Sequence, residues 1–305
     1  MGDIFGVQLL QNTLRTATPV VLCALGCLMT DQVGIMNIGV DGMMLMGAFF
    51  AVLGSYLFGS WAMGLVFVTV LGVLLGLFYY VFSIKFKSDE FIIGVALNIL
   101  AGGLTVFLLR TLFGVKGSFS GPGIVPLPTI RIPWLEAVPV LGPMLSGNTL
   151  LVYVSWLLVL VSWLFMYKTP MGFHLRASGE APEALRAAGK SPEHMKRLAS
   201  VLCGVLATLS GAHLSLGYLT MFSENMSASR GYVAVACVIF GGGNPPRVFL
   251  AALLFGFIDA LGLRLQKYIP SDLTSMAPYV VTVVMMVVVV LIRKRRQRQK
   301  ERLSA

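Results

Sequence analysis

The chain has 305 residues, of which 57% are apolar and only 12% charged, about half the charged fraction of an ordinary soluble domain. With its 33 glycines it has enough apolar sequence for about nine or ten membrane spans, which excludes a soluble enzyme. The net charge of +10 is concentrated in two places, +6 over residues 293–305 and +3 over 168–197. Clustered Lys and Arg beside spans mark the cytoplasmic side.

In chain order, the apolar runs predict spans at 5–29, 43–58, 61–84, 91–113, 149–167, 197–217, 231–243, 248–265 and 277–292. Several are short, and 231–243 reads as a broken or re-entrant piece. The fold class is an all-α polytopic membrane protein with about 8–10 transmembrane helices and broken segments. Residues 1–292 form the transmembrane domain, with a cytoplasmic loop at 168–196, and 293–305 form a basic cytoplasmic tail. Counting back from that tail puts 168–196 on the same side, in agreement with its own basic charge. The first 42 residues leave two readings. Arg15 and Pro19 interrupt the first run, so it is either one span or an interfacial piece plus a shorter span. The N-terminus lacks the basic region and small-residue site of a cleavable signal peptide.

Two interruptions look alike. Gly34-Ile-Met-Asn37-Ile-Gly39-Val-Asp41-Gly42 precedes one apolar run, and Gly241-Gly-Gly-Asn244-Pro245-Pro246 precedes another. Corresponding breaks in two halves point to an internal repeat with a transport site between the halves. The loop 114–148 is rich in Gly and Pro and predicts turns, with a short helix near Trp134. Cys23, Cys27, Cys203 and Cys237 fall in apolar runs as small packing residues, and no metal set accompanies them. Gly189-Lys190-Ser191 ends like a phosphate-binding loop. The glycine required five residues earlier is Ala184 instead, and no strand leads in, so the chain is not expected to bind ATP.

In the cytoplasmic loop, Ser178 to Pro182 reads as a helix start and Gly189 as its stop, giving a short helix over about 182–188. Ser191-Pro192-Glu193 opens the next helix. Such a helix, tied to a span at each end, can dock a soluble partner, or it is simply a compact turn.

The stretch Thr169-Pro170-Met-Gly172-Phe-His-Leu-Arg176-Ala177-Ser-Gly179-Glu180-Ala-Pro182-Glu-Ala184-Leu-Arg-Ala187-Ala188-Gly189 resembles the coupling loop of bacterial ABC importer permeases. It is closest to the simple-sugar and nucleoside branch of the branched-chain amino-acid permease group. The 34–48 stretch agrees in order and spacing, as does Phe222-Ser-Glu224-Asn225-Met226 running on through Arg230-Gly231 to Gly241. Ala181 departs from the Asn common in that branch, and Asp41 from the more usual Glu.

The resemblance implies the ABC importer permease fold and transport by alternating access, with separate ATPases supplying the drive. Arg176, Gly179, Glu180, Pro182, Ala184, Ala187, Ala188 and Gly189 would couple the chain to an ATPase. It implies as partners a second permease subunit (a copy or a relative), cytoplasmic ATPases that hold the ATP and magnesium, and an extracytoplasmic substrate-binding protein. The chain would be a multi-pass subunit of the bacterial cytoplasmic membrane with a cytoplasmic C-terminus. It would contact lipid but no nucleic acid and would bind no cofactor of its own.

Polar groups inside spans are costly and are functional candidates. Asn37, Asp41, Asn98, Glu224, Asn225 and Asn244 are the pathway candidates, each weighed against an interhelical hydrogen bond. Asp259 is a further intramembrane polar group. Asn37 and Asp41 would share a face if that stretch were helical, and Asp41 could instead sit at the cytoplasmic edge. Glu224 and Arg230 could pair with each other or meet the binding protein. An autonomous ion-coupled transporter is the alternative; it is disfavoured because only Asp259 and Asp41 qualify as mid-span carboxylates. The three histidines do not cluster and no catalytic pair of carboxylates appears, so no catalytic or metal-binding residue is expected. Nucleoside, ribose-like sugar and another small polar solute, such as a flavin, remain open as substrates.

Overall fold

The computed structural model describes residues 7–133, 142, 145–266 and the single positions 280, 281, 284 and 287. The rest of the expected span 277–292, the tail 293–305, residues 267–276 and the helix expected near Trp134 lie outside the described residues. Ten α-helices follow one another among the described residues. They are α1 (Val7–Gln32), α2 (Val40–Phe58), α3 (Trp61–Tyr80), α4 (Glu90–Phe113), α5 (Leu150–Lys168), α6 (Pro170–Glu180), α7 (Pro182–Ala187), α8 (Pro192–Ala212), α9 (Arg230–Gly241) and α10 (Pro245–Leu265). Wider π-helical turns extend α3 over Val81–Lys85 and α8 over His213–Tyr218. Seven of these helices, α1 to α5, α8 and α10, are long and apolar enough to cross a membrane. The seventh expected span, 231–243, is the 12-residue α9.

The helices sort by burial in the way a bilayer demands. α1, α2 and α8 are mostly buried, whereas α3, α4, α5 and α10 expose Phe67, Leu74, Ile99, Phe107, Leu157 and Leu250. The exposed helices are the more apolar ones, because lipid is their solvent. The buried ones carry the Thr, Ser and Gly that allow close approach and interhelical hydrogen bonds. A Cβ at Gly211 would strike the Met44 carbonyl of α2, and one at Gly47 would strike the Thr208 backbone of α8. Those two positions therefore let α2 and α8 approach closely in the core. All four cysteines are buried free thiols.

Pro19 does not interrupt the first span: α1 is continuous over 26 residues, so of the two readings left open the single span holds. A proline leaves the carbonyl four residues earlier without its helical donor. Here that carbonyl belongs to Arg15, and His213 Nε2 donates to it at 3.2 Å. Ser210 Oγ donates to the Pro19 carbonyl at 2.6 Å. α8 therefore mends the proline site in α1.

Opposite the α6–α7 turn, the loop after α4 is pinned by two short antiparallel ladders. β1 (Ser118–Phe119) pairs with β4 (Phe222–Ser223), and β2 (Thr129–Ile130) pairs with β3 (Asn148–Thr149). On the α6–α7 side the two sequence interruptions lie together. Gln32 Nε2, at the end of α1, donates to the Gly243 carbonyl between α9 and α10 at 3.4 Å.

Candidate functional site

The turn between α5 and α8 is built by local capping. Thr169 Oγ1 accepts from the Gly172 amide at 3.1 Å and Pro170 occupies the first helical position, so a full helix, α6, precedes the expected short one. This corrects the placement of a helix start at Ser178. That residue lies inside α6, and its hydroxyl donates to the Pro192 carbonyl at 3.3 Å. The missed signal was Thr169-Pro170, a cap followed by proline. α6 ends at Ala181, where no side chain caps the next helix.

Helix α7 begins at Pro182 and ends before Gly189, whose φ of +73° is the left-handed value a helix stop requires. Leu185 is its one buried residue. Ala184, Ala187, Ala188 and Gly189 are exposed, as is Glu180 at the end of α6. Arg186 donates to Glu183 at 2.8 Å and to Glu193 of α8 at 2.5 Å, and these carboxylates push its guanidinium pKa upward. Ser191 Oγ caps α8 by accepting from the His194 amide at 3.3 Å. Gly189-Lys190-Ser191 is thus a helix-to-helix turn.

At the inner end of the same turn, α6 reaches the first interruption. A Cβ at Gly179 would strike the Gln32 carbonyl, and Gly34 lies beside Gly179. The Arg176 guanidinium sits 4.8 Å from the Tyr167 ring centre. Motion of α7 therefore has a packed route through α6 to residues 32–34.

The polar residues expected in the spans gather around that interruption. Asn37 lies in the non-helical stretch before α2 rather than on a helical face with Asp41, which corrects that expectation. Its Oδ1 accepts from the Gly39 amide at 3.0 Å, and its Nδ2 points at Cys203 Sγ, 3.5 Å away. Asp41 is not at a free edge: it accepts from Ser227 Oγ and from the Gly231 amide, each at 2.9 Å. Asn98 Oδ1 accepts from the Gly42 amide at 2.7 Å. Its Nδ2 donates to the Ile38 carbonyl at 3.1 Å and to the Tyr232 hydroxyl at 2.8 Å.

Glu224 and Arg230 do not pair with each other. Glu224 accepts from the Gly117 amide at 3.0 Å and lies 4.0 Å from Arg110, while Arg230 lies 3.5 Å from Asp259. Asn225 is exposed, with φ +56°, and Asn244 stands at the start of α10 without a side-chain cap bond. Beside Asn37 a crevice of ≈ 20 Å³, lined by Cys27, Asp31, Met36 and Val235 among others, has room for about one water. Sequence reasoning missed Ser227, Tyr232 and Arg110. Each is ordinary in its own segment and gains a role only through a partner more than a hundred residues away. Among the described residues no three His, Cys, Asp or Glu side chains gather to hold a metal.

With this geometry in view, comparison with known proteins places the chain. The family described as branched-chain amino acid transport system / permease component matches residues 9–291. A guanosine ABC transporter permease protein of Bacillus subtilis is 32% identical over 89% of this chain and 88% of its own length. A putative glucose ABC transporter permease protein of Haloferax volcanii is 34% identical over 86% of this chain and 79% of its own. A nucleoside ABC transporter permease protein of Lactococcus lactis is 30% identical over 89% of each. No solved structure matches. The chain belongs to this permease family: it is a multi-pass membrane subunit of an ABC transport system.

Proposed function

We propose that this permease imports a nucleoside or a simple sugar by alternating access, driven by ATPase subunits bound to the α6–α7 face. The observation that carries the reading is the exposed α7, fastened through α6 to the break before α2, a lever with a surface at one end and the membrane interior at the other. Glu180, Pro182, Ala184, Ala187, Ala188 and Gly189 form the exposed end. Arg176 and Gly179 form the packed end.

A second permease subunit completes the pathway, and a substrate-binding protein docks on the opposite face. ATP and magnesium reside on the ATPases, so the chain itself catalyses no reaction. It sits in the bacterial cytoplasmic membrane with α7 and the basic tail in the cytoplasm. Residues 1–292 form the transmembrane domain and 293–305 the tail. The names of the relatives favour guanosine-like nucleosides first and glucose second. The ion-coupled alternative is weakened because Asp41 and Asp259, the carboxylates it needs, are engaged by Ser227, Gly231 and Arg230.

The test is uptake of labelled guanosine and glucose by vesicles holding the permeases with their ATPases and binding protein. Uptake should require ATP. Uptake that persists without the ATPases and collapses with the ion gradient overturns the reading.

A further inference from the structure

The stretch between β4 and α9 holds three of the five non-glycine residues with positive φ among the described residues. Asn225, Ala228 and Ser229 all take positive φ, +56°, +46° and +61°. Each is strained for a residue other than glycine and persists only where the surroundings fix it. The surroundings that fix it come from two other helices. Both oxygens of Asp41 are taken, one by Ser227 Oγ inside the irregular stretch and one by the Gly231 amide at the start of α9. A Cβ at Gly231 would strike the Asp41 backbone, so the approach is direct.

Asn98, the ninth residue of the 24-residue α4, adds a second tie. It bonds Ile38, at the end of the break before α2, and Gly42, in the first turn of α2, and it also bonds Tyr232 in the first turn of α9. Below this lies the packed route from α6 to residues 32–34. Arg230, whose charge Asp259 answers, anchors the same turn to α10.

Resting on the permease reading above, we propose that Asp41 and Asn98 are positioning residues. They clamp the stretch 225–231 to residues 38–42, where the break passes into α2, so that the two move as one gate when α7 is pushed. In this role they act on the protein rather than on the solute: the bonds they make run to Ser227, Gly231, Ile38, Gly42 and Tyr232. A polar group left unanswered away from water is costly, which keeps the clamp shut through the cycle.

The test uses the assembled complex in vesicles, with spin labels on cysteines introduced at the exposed positions Met36 and Ala228; the four native thiols are buried. The label-to-label distance should be the same with and without ATP plus vanadate, and in Asp41→Ala it should broaden. A shift of about one helical turn, ~5 Å, in the unsubstituted complex overturns the clamp. This readout needs no substrate, so it separates from the substrate reading, which fails if the unsubstituted complex takes up neither guanosine nor glucose.

Kinetics supply the second arm. Asp41→Ala and Asn98→Leu should lower maximal uptake about tenfold, with KM within about twofold and ATP hydrolysis retained. Asp41→Glu should recover part of the rate. A raised KM with unchanged maximal rate marks solute contact and contradicts the proposal. A parallel fall of uptake, hydrolysis and assembled complex marks a merely structural role and contradicts it too.

Discussion

At the α7 turn, Arg186 pairs in water with Glu183 of the same helix and with Glu193 of α8, and α7 buries only Leu185. At the membrane junction the polar side chains of Asp41 and Asn98 are answered by backbone and hydroxyl groups of other helices, with Arg230 matched by Asp259. The difference lies in what holds each region. The turn is held by local caps, proline and glycine, so its partner-facing side is free to differ. The junction is held by bonds between segments far apart in sequence, so removing one group strands another in a medium that cannot solvate it.

The core beneath the junction is where a substitution should do most. Gly211→Leu drives a side chain into the Met44 carbonyl and should abolish folded protein, measured as loss of a monodisperse peak in detergent. Gly103→Leu, on the open face of α4, should leave that peak intact. Equal behaviour of the two would break the contrast between the buried and lipid-facing helices.

Next comes the Arg230–Asp259 pair, whose side chains are 25% and 23% exposed. Breaking a fully buried pair from one side costs about 3–5 kcal/mol, and the residual exposure here reduces that to about half. Arg230→Ala should therefore lower the melting temperature clearly, and Arg230→Ala with Asp259→Ala should recover part of the loss. A double variant no more stable than the single one would show that the pair is not the cause.

At the turn, Glu180→Lys and Gly189→Pro should cut uptake about tenfold or more while the permease still reaches the membrane, read by uptake beside an immunoblot of the membrane fraction. The φ of +73° at Gly189 excludes proline there, but only the exposed turn is disturbed. Smallest of all, Arg186→Ala removes a water-exposed pair and should leave the melting temperature unchanged.

This contrast also explains what could be read from the sequence. The spans of α3, α4, α5 and α10 are legible because lipid-facing helices are plainly apolar, and their expected limits fall close to the observed ones. α7, Gly189 and the Ser191-Pro192 start are legible because capping is local. Continuity through Pro19 was not legible, because the donor that makes it tolerable is His213, 198 positions from Arg15. The same holds for Asp41 with Ser227 and for Asn98 with Tyr232. A lone Asp or Asn in an apolar run reads as a pathway candidate until its partner is seen. Glu224 and Arg230, six apart, invited a local pairing that the irregular backbone between them prevents, and each turned instead to a different helix.

The most direct trial of the whole picture joins the two regions. Guanosine uptake and ATP hydrolysis are measured together in vesicles carrying the full complex, with the permease unsubstituted, altered at Glu180 or altered at Asp41. The predicted result is ATP-dependent uptake in the first, loss of uptake in the second because the lever no longer engages, and hydrolysis without matching uptake in the third. Uptake that ignores ATP, or that survives both substitutions unchanged, would contradict a permease driven from α7 through the clamped break.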